Sequence, residues 1–307
     1  SEGARPMSTS AANVLQDAVD GDEIVQGRSL WVDAWRRLRR NRAAVTSLVI
    51  LTVMLLICFA GPLLAPYSFD AVDWDKVATA PSLSDGHFFG TDSVGRDLFV
   101  RTLVGGQISL LVGIVATAVS LLIGTAWGAT AGYLGGRVDA VMMRVVDILY
   151  ALPFMFLVIL LMVLFGRNIV LIFVAIGAIT WLDMARIVRG QTLSLKGREF
   201  VEAAQAMGVS TRNIIARHVV PNLLGVVVVY VTLTIPRVIL VESFLSFLGL
   251  GVQEPSTSWG ALVNEGAREM ESSWWTLAFP ASFLALTLFC FNFVGDGLRD
   301  ALDPKDR

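Results

Sequence analysis

Charged side chains are scarce in this sequence: they make up 16% of 307 residues, against 55% hydrophobic. A soluble domain carries roughly 25% charged residues. Here the shortage coincides with long uncharged runs, so the bilayer is the expected solvent. Cysteine and histidine are also rare, with two of each. Cys58 and Cys290 sit inside apolar runs with no His or carboxylate at ligand spacing, which leaves both a packing role and gives no sign of a disulfide framework or metal site. Missing too is any G-x-x-x-x-G-K-[ST] loop to cradle phosphates, so the free energy for any active process must come from another protein. Residues 1–29 are polar and weakly acidic, with no apolar stretch near the start. They are read as a flexible cytoplasmic tail rather than a secretory signal. No nucleic-acid partner is expected.

What is present is a series of apolar runs. A helix needs about 20 such residues to cross hydrocarbon, and open strand edges cannot be satisfied in lipid. The runs are therefore read as six membrane-spanning helices near 43–65, 106–132, 145–166, 168–187, 219–242 and 275–296, which make residues 30–307 one all-α membrane domain. Basic residues orient it. With the N-terminus inside, sixteen Lys and Arg flank the spans on the cytoplasmic side and five lie opposite, leaving aside the tail and Arg237. Both termini are then cytoplasmic. In the second span Ala116, Ser120, Gly124, Gly128, Gly132 and Gly136 recur every four residues, a ridge of small side chains over which another helix approaches closely. That helix belongs either to the same bundle or to a second membrane chain.

The longest inner loop, about 187–222, is the most informative stretch. Phe200 to Met207 reads as a short helix of good formers. Gly208 supplies the free φ that ends it, and Ser210 or Thr211 can cap a second, basic helix that leads to Pro221. A helix-turn-helix on a membrane face is shaped to enter a groove of another protein.

The run Glu202-Ala203-Ala204, then Gly208, Arg212 and Pro221, resembles the EAA loop of ABC importer permeases, although the usual Ile-x-Leu-Pro ending reads His218-Val219-Val220-Pro221. Other segments resemble the dipeptide, oligopeptide and nickel group of that family. They are Phe89-Gly90-Thr91-Asp92-Ser93-Val94-Gly95-Arg96-Asp97, Met143 to Asp147 with Pro153, Leu245 to Gly251 with Pro255 and Ser258-Trp259-Gly260, and Gly295 to Pro304. The basic entry before the first span and the Asp303-Pro304 ending look most like the C-type member of the permease pair. The resemblance implies the type I importer permease fold, with Glu202, Ala203, Ala204, Gly208, Arg212 and Pro221 forming a coupling helix docked on a cytosolic ATPase. It also implies a heterodimer with a homologous permease, two ATPase subunits and an extracytoplasmic binding protein. ATP and magnesium belong to the ATPases; this chain binds no cofactor and catalyses nothing. Short peptides are the implied cargo, with nickel or another small solute as the alternative. A secondary transporter working without ATP competes less well, because no internal repeat is visible.

The translocation path is harder to read. Asp147, Glu242 and Asn292 are its candidates, since ionisable or polar groups inside spans are functional by default. Bland readings stand beside them. Asp147 can pair with Arg144 at i, i+3, and Arg237 and Glu242 can pair with each other or reach for the interface. Acidic residues of the outer segments, from Asp70 to Asp97 and from Glu254 to Glu271, form either solvated faces or a landing surface for the binding protein. Trp259, Trp274 and Trp275 sit at belt positions.

Overall fold

A computed structural model describes residues 30–165 and 169–302; the tail 1–29, Arg167 and the Asp303-Pro304 ending lie outside the described residues. Eleven helices carry the described chain: α1 (Leu30–Arg40), α2 (Arg42–Leu64), α3 (Leu98–Leu134), α4 (Gly136–Ala151), α5 (Phe154–Phe165), α6 (Ile169–Lys196), α7 (Glu199–Ala206), α8 (Thr211–Ile214), α9 (Val220–Phe247), α10 (Trp259–Arg268) and α11 (Trp275–Leu302). Four helical stretches are long and apolar enough to cross a membrane: α2, α3, α11 and the continuous run Thr211–Phe247. The α4–α5 pair makes a fifth if its two parts are one span, bent by 79°. Pro153 explains the bend. It has no N–H to continue the helix and it disfavours helical backbone in the residue before it, and Leu152 is extended at φ −74°, ψ 128°.

The ridge of small residues on α3 faces inward, against α6. A Cβ on Gly124 would lie 2.5 Å from Met184 Cβ, on Gly128 2.4 Å from the Ala185 carbonyl oxygen, and on Gly132 2.8 Å from the Arg189 carbonyl oxygen. Ser120 donates to the Thr180 carbonyl at 2.8 Å. The ridge ends there, because Gly135 and Gly136 leave the helix to form the turn into α4. Of the two readings of this stripe, packing within the bundle is the one observed. Cys58 and Cys290 are both buried, the first beside Met54, Leu110 and Trp259, the second beside Leu51 and Val294.

At 37 residues, α3 runs about 55 Å, well beyond the roughly 30 Å of hydrocarbon. One end therefore projects into a cap formed by the segments around 66–97 and 248–274. The other end carries Tyr133 towards the loop that joins α6 to α9. The cap is organised by buried ion pairs. Asp92 receives Arg96 Nε at 2.7 Å and approaches Arg101 Nε at 3.5 Å, while Arg101 Nη2 reaches Glu265 at 3.0 Å. Burial alone works against the charge of Arg96, but the hydrogen bond and charge of Asp92, then Glu254, carry its pKa above the ordinary value. Burial also pushes the Glu265 carboxyl up, against the opposing pull of Arg101 and Arg96. Asp97 caps α3 by accepting from the Val100 amide at 2.8 Å, and its second oxygen lies 2.7 Å from His87 Nδ1. Gly95 has φ +81°, and a Cβ there would collide with the Asp73 carbonyl at 1.9 Å. The Gly90-to-Asp97 motif is thus a knot that ties the cap to α3.

Two outer-segment expectations need correction. Asp92 and Asp97 are neither solvated nor a landing surface, since they are buried counterions of this knot, whereas Asp70, Asp73, Asp75 and Asp85 are exposed. Of the three tryptophans only Trp274 is exposed. Trp259 is fully buried and donates to the Thr102 carbonyl, and Trp275 donates to that of Thr91.

The α3–α6 contact leaves no room for a side chain at Gly128. Gly128→Val should lower the thermal unfolding midpoint of the detergent-solubilised protein by an overpacking cost of about 1–3 kcal/mol. Gly190→Ala, which meets nothing within 4 Å in the interior of α6, should leave it unchanged or raise it slightly, since alanine is the better helix former. An equal response from both would mean that α3 and α6 do not touch backbone to backbone.

Candidate functional site: a coupling loop and an ionic groove

The loop between α6 and α9 is built as the sequence suggests, with one addition. α7 ends in a Schellman arrangement: Gly208, at φ +77°, donates to the Gln205 carbonyl at 2.9 Å, and Val209 donates to that of Ala204 at 3.1 Å. Space around Gly208 is open, so only the backbone conformation demands glycine there. Ser210 precedes α8 without a side-chain cap bond. The addition is a π turn at Ile215–Val219, just before Pro221. Proline lacks the N–H that would reach back one turn and crowds the carbonyl there. The wider turn relieves that crowding, and Asn222 Nδ2 donates to the His218 carbonyl at 2.6 Å.

Burial divides the EAA residues into two groups. Ala204, with Val201, Ile214 and Val219, is buried against Ala129, Tyr133, Met184 and Val188 of α3 and α6. Gln205 donates to the Tyr133 hydroxyl at 2.9 Å and pins the helix further. Glu202, Ala203, Gly208, Arg212 and Pro221 are exposed on the outward side, together with Phe200 and Met207. One face thus holds the loop to its own bundle, and the other is an exposed apolar and charged surface.

The three path candidates separate. Asp147 is exposed and pairs with Arg186 at 2.8 Å, not with Arg144. The i, i+3 expectation fails because α6 brings a guanidinium across from the facing helix, held over the Tyr150 ring at 4.3 Å. Glu242 is fully buried, away from any open surface. It accepts from Ser246 at 2.7 Å and from Ser109 at 3.1 Å. The same network continues from Trp259 N to Ser109 and from Ser258 to Ser246, locking α9 to α3 and α10. Arg237 is not its partner; it pairs with Asp183 of α6 at 2.8 Å. Asn292 is exposed on α11 and donates to its own helix at Leu288, 2.8 Å away, so it adds nothing to the groove.

That groove lies between α4, α6 and α9. It contains a cavity of about 290 Å³ lined by Tyr150, Phe154, Thr180, Asp183, Arg237 and Val241, among others. Asp183 and Arg186 were visible in the sequence as charges three residues apart at the end of an apolar run. Only the packing shows that Asp183 meets Arg237 in the wall of this cavity, and that Arg186 meets Asp147 beside Tyr150, which also lines it.

A multi-pass bundle that presents a rigid helical knob outside its spans, and no nucleotide loop, has the architecture of a transporter membrane subunit. The model of the family described as "Binding-protein-dependent transport system inner membrane component" matches residues 124–307, and that described as "N-terminal TM domain of oligopeptide transport permease C" matches 29–81. The chain is 58% identical to the oligopeptide transport system permease protein OppC of Haemophilus influenzae over 305 residues, 99% of this chain and 98% of the relative. It is 62% identical to OppC of Escherichia coli over 92% of this chain and 94% of the relative. With the dipeptide transport system permease protein DppC of Bacillus subtilis it shares 48% identity over 90% and 86%. The fold resembles a chain of the MetNI methionine ABC transporter in an inward-facing conformation, with a TM-score of 0.53 at 19% identity, covering 67% of this chain and 96% of that one; at this identity the likeness is one of fold alone. The chain belongs to the inner membrane components of binding-protein-dependent transport systems, as an OppC-type, non-catalytic permease of an ABC importer.

The serine network gives Glu242 a structural task. Glu242→Ala should destabilise the solubilised protein by about 1–3 kcal/mol, because the hydroxyls of Ser109 and Ser246 lose their acceptor. Glu242→Gln, which keeps an acceptor oxygen, should stay close to wild type in both unfolding midpoint and uptake. Loss of uptake with normal stability in Glu242→Gln would return this residue to the translocation path.

Proposed function

We propose that this chain forms one half of the translocation path of an importer for short peptides, delivered by an extracytoplasmic binding protein and driven by two ATPase subunits. The peptide cargo rests on the names of the relatives, two called oligopeptide and one called dipeptide permeases. In this reading α6 and the bent α4–α5 pair complete six spans, both termini face the cytosol, and the face of α1 bearing Arg36, Arg39 and Arg40 lies at the inner surface.

The observation that carries the reading is the two-sided loop 199–221. Its buried face makes it rigid with α3 and α6, and its exposed face offers Phe200, Glu202, Met207 and Arg212 to an ATPase groove. Coupling needs both properties, since a ligand-driven change in the ATPase shifts the bundle only through contacts that differ between states. Thr211–Phe247 is a single helix of 37 residues, about 55 Å long. The loop and the cap therefore cannot move independently unless this helix bends.

The path is assigned to the α4–α6–α9 groove. Its four charged side chains are 23% to 64% exposed in this chain. Charges facing lipid cost about 2.5–3.5 kcal/mol each even on insertion scales, so this face is turned to water and to the second permease.

In vesicles holding both permeases, the ATPases and the binding protein, Glu202→Arg and Gly208→Val should reduce ATP-driven uptake about tenfold, a loss of about 1.4 kcal/mol in coupling, with normal insertion. A cysteine placed at Thr211 should react with an impermeant thiol reagent only from the ATPase side. Wild-type uptake in both variants would remove the coupling assignment, and labelling from the binding-protein side would invert the topology. With the wild-type complex, a mixture of di- to octapeptides should stimulate ATP hydrolysis through the binding protein. Stimulation by nickel alone would sink the peptide assignment and spare the importer.

A further inference from the structure

Two opposite-charge pairs set one helical step apart lie at the groove, one in the cavity wall and one beside it. Asp183 and Arg186 lie at i, i+3 on α6, so both project from one side of that helix. Asp183 is joined by Arg237 of α9 and Arg186 by Asp147 of α4, each at 2.8 Å. Counting about 1.5 Å per residue back from Lys196 places Asp183 about 20 Å inside the loop-side end of α6. The pairs differ from the buried salt bridges of the cap. There Arg101 is fully buried among its counterions, whereas the side chains of Arg237, Asp147 and Arg186 are 64%, 56% and 40% exposed and lie at an open groove. Tyr150 is 45% exposed, and the Asp183–Arg237 pair forms part of the wall of the 290 Å³ cavity.

From this geometry we infer that the Asp183–Arg237 pair is an exchangeable subsite for zwitterionic peptides. Arg237 takes the free α-carboxylate and Asp183 takes the free α-amino group as each lets go of the other. The chemistry fits. A guanidinium matches a carboxylate in planar, bidentate fashion, and an alkylammonium replaces it on the aspartate. Each charge keeps a partner before and after, so exchange avoids the penalty of an uncompensated charge in a closed path. The pair also neutralises itself when the groove is empty. That allows weak, reversible binding, as conduction requires. Apolar neighbours such as Phe154, Ile176, Val238 and Val241 accept side chains of any kind without selecting among them.

The inference rests on the groove being the path, and the test separates the two. In the purified complex of both permeases and the ATPases, Thr180→Cys places a thiol in the cavity wall. Cys58 and Cys290 are buried, so the mass shift of this chain reports position 180. A methanethiosulfonate reagent should label it, and millimolar trialanine should slow labelling about fivefold, equivalent to about 1 kcal/mol. N-acetyl-trialanine amide should not slow it. Asp183→Asn with Arg237→Gln, changes that remove both charges and retain hydrogen-bonding groups, should leave labelling intact and abolish protection; co-purification of the ATPases checks assembly. A thiol that never labels overturns the path and this subsite together. A thiol that labels without protection by trialanine overturns the subsite alone. Equal protection by the blocked peptide, or protection that survives the double variant, shows that the terminal charges are not what the pair recognises.

Discussion

The structure depends on one contact, the backbone-to-backbone approach of α6 to the small-residue ridge of α3. In lipid there is no hydrophobic force between apolar helices, and their association rests on close van der Waals packing and a few hydrogen bonds. Gly124, Gly128 and Gly132 supply the first and Ser120 the second. Once α6 is seated, its other positions follow. Asp183 and Arg186 come to face α9 and α4, and the α6 terminus hands α7 to the projecting end of α3, where Tyr133 holds it. The exposed face of the loop and the ionic groove are thus two consequences of one packed interface.

Polar groups on the long apolar helices receive three different treatments. Glu242 is enclosed by serine hydroxyls, so its hydrogen-bonding capacity is spent on joining α9 to α3 and α10. Asn292, Thr180 and Thr287 return their donors to their own helices one turn back. The Asp183–Arg237 and Asp147–Arg186 pairs combine charge with exposure. A charge left open in a membrane-spanning segment is costly, and a fold tolerates it where water or a partner surface covers it.

Much of the architecture was legible in the residues. Apolar run length and the bilayer thickness are matched by simple geometry, so most spans were located. The helix, Gly208 and second helix of the coupling loop follow from local backbone preference, which acts over a few residues and needs no tertiary information. The role of the α3 ridge was readable as a close approach, though not which helix approaches. Asp147 was visible as a charge at the end of an apolar run, but its partner was not. The nearest basic residue along the chain is Arg144, whereas the packed structure brings in Arg186 from 39 residues away. Glu242 and Asn292 looked alike as polar residues in apolar runs. No one-dimensional pattern separates an enclosed carboxyl from an exposed one.

By itself, then, the sequence determined the solvent, the helical class, the position of the loop and the backbone demands of its glycine, because each rests on composition or on contacts within one or two helical turns. Tertiary structure decided which charges meet, which half of the EAA motif is buried and which is exposed, and that the acidic residues of the Gly90-to-Asp97 motif are internal counterions. These outcomes depend on the rotation and depth of each helix against its neighbours. Both are set by side-chain packing between segments far apart in the chain, where a single residue's rotation moves a side chain about 100° round its helix.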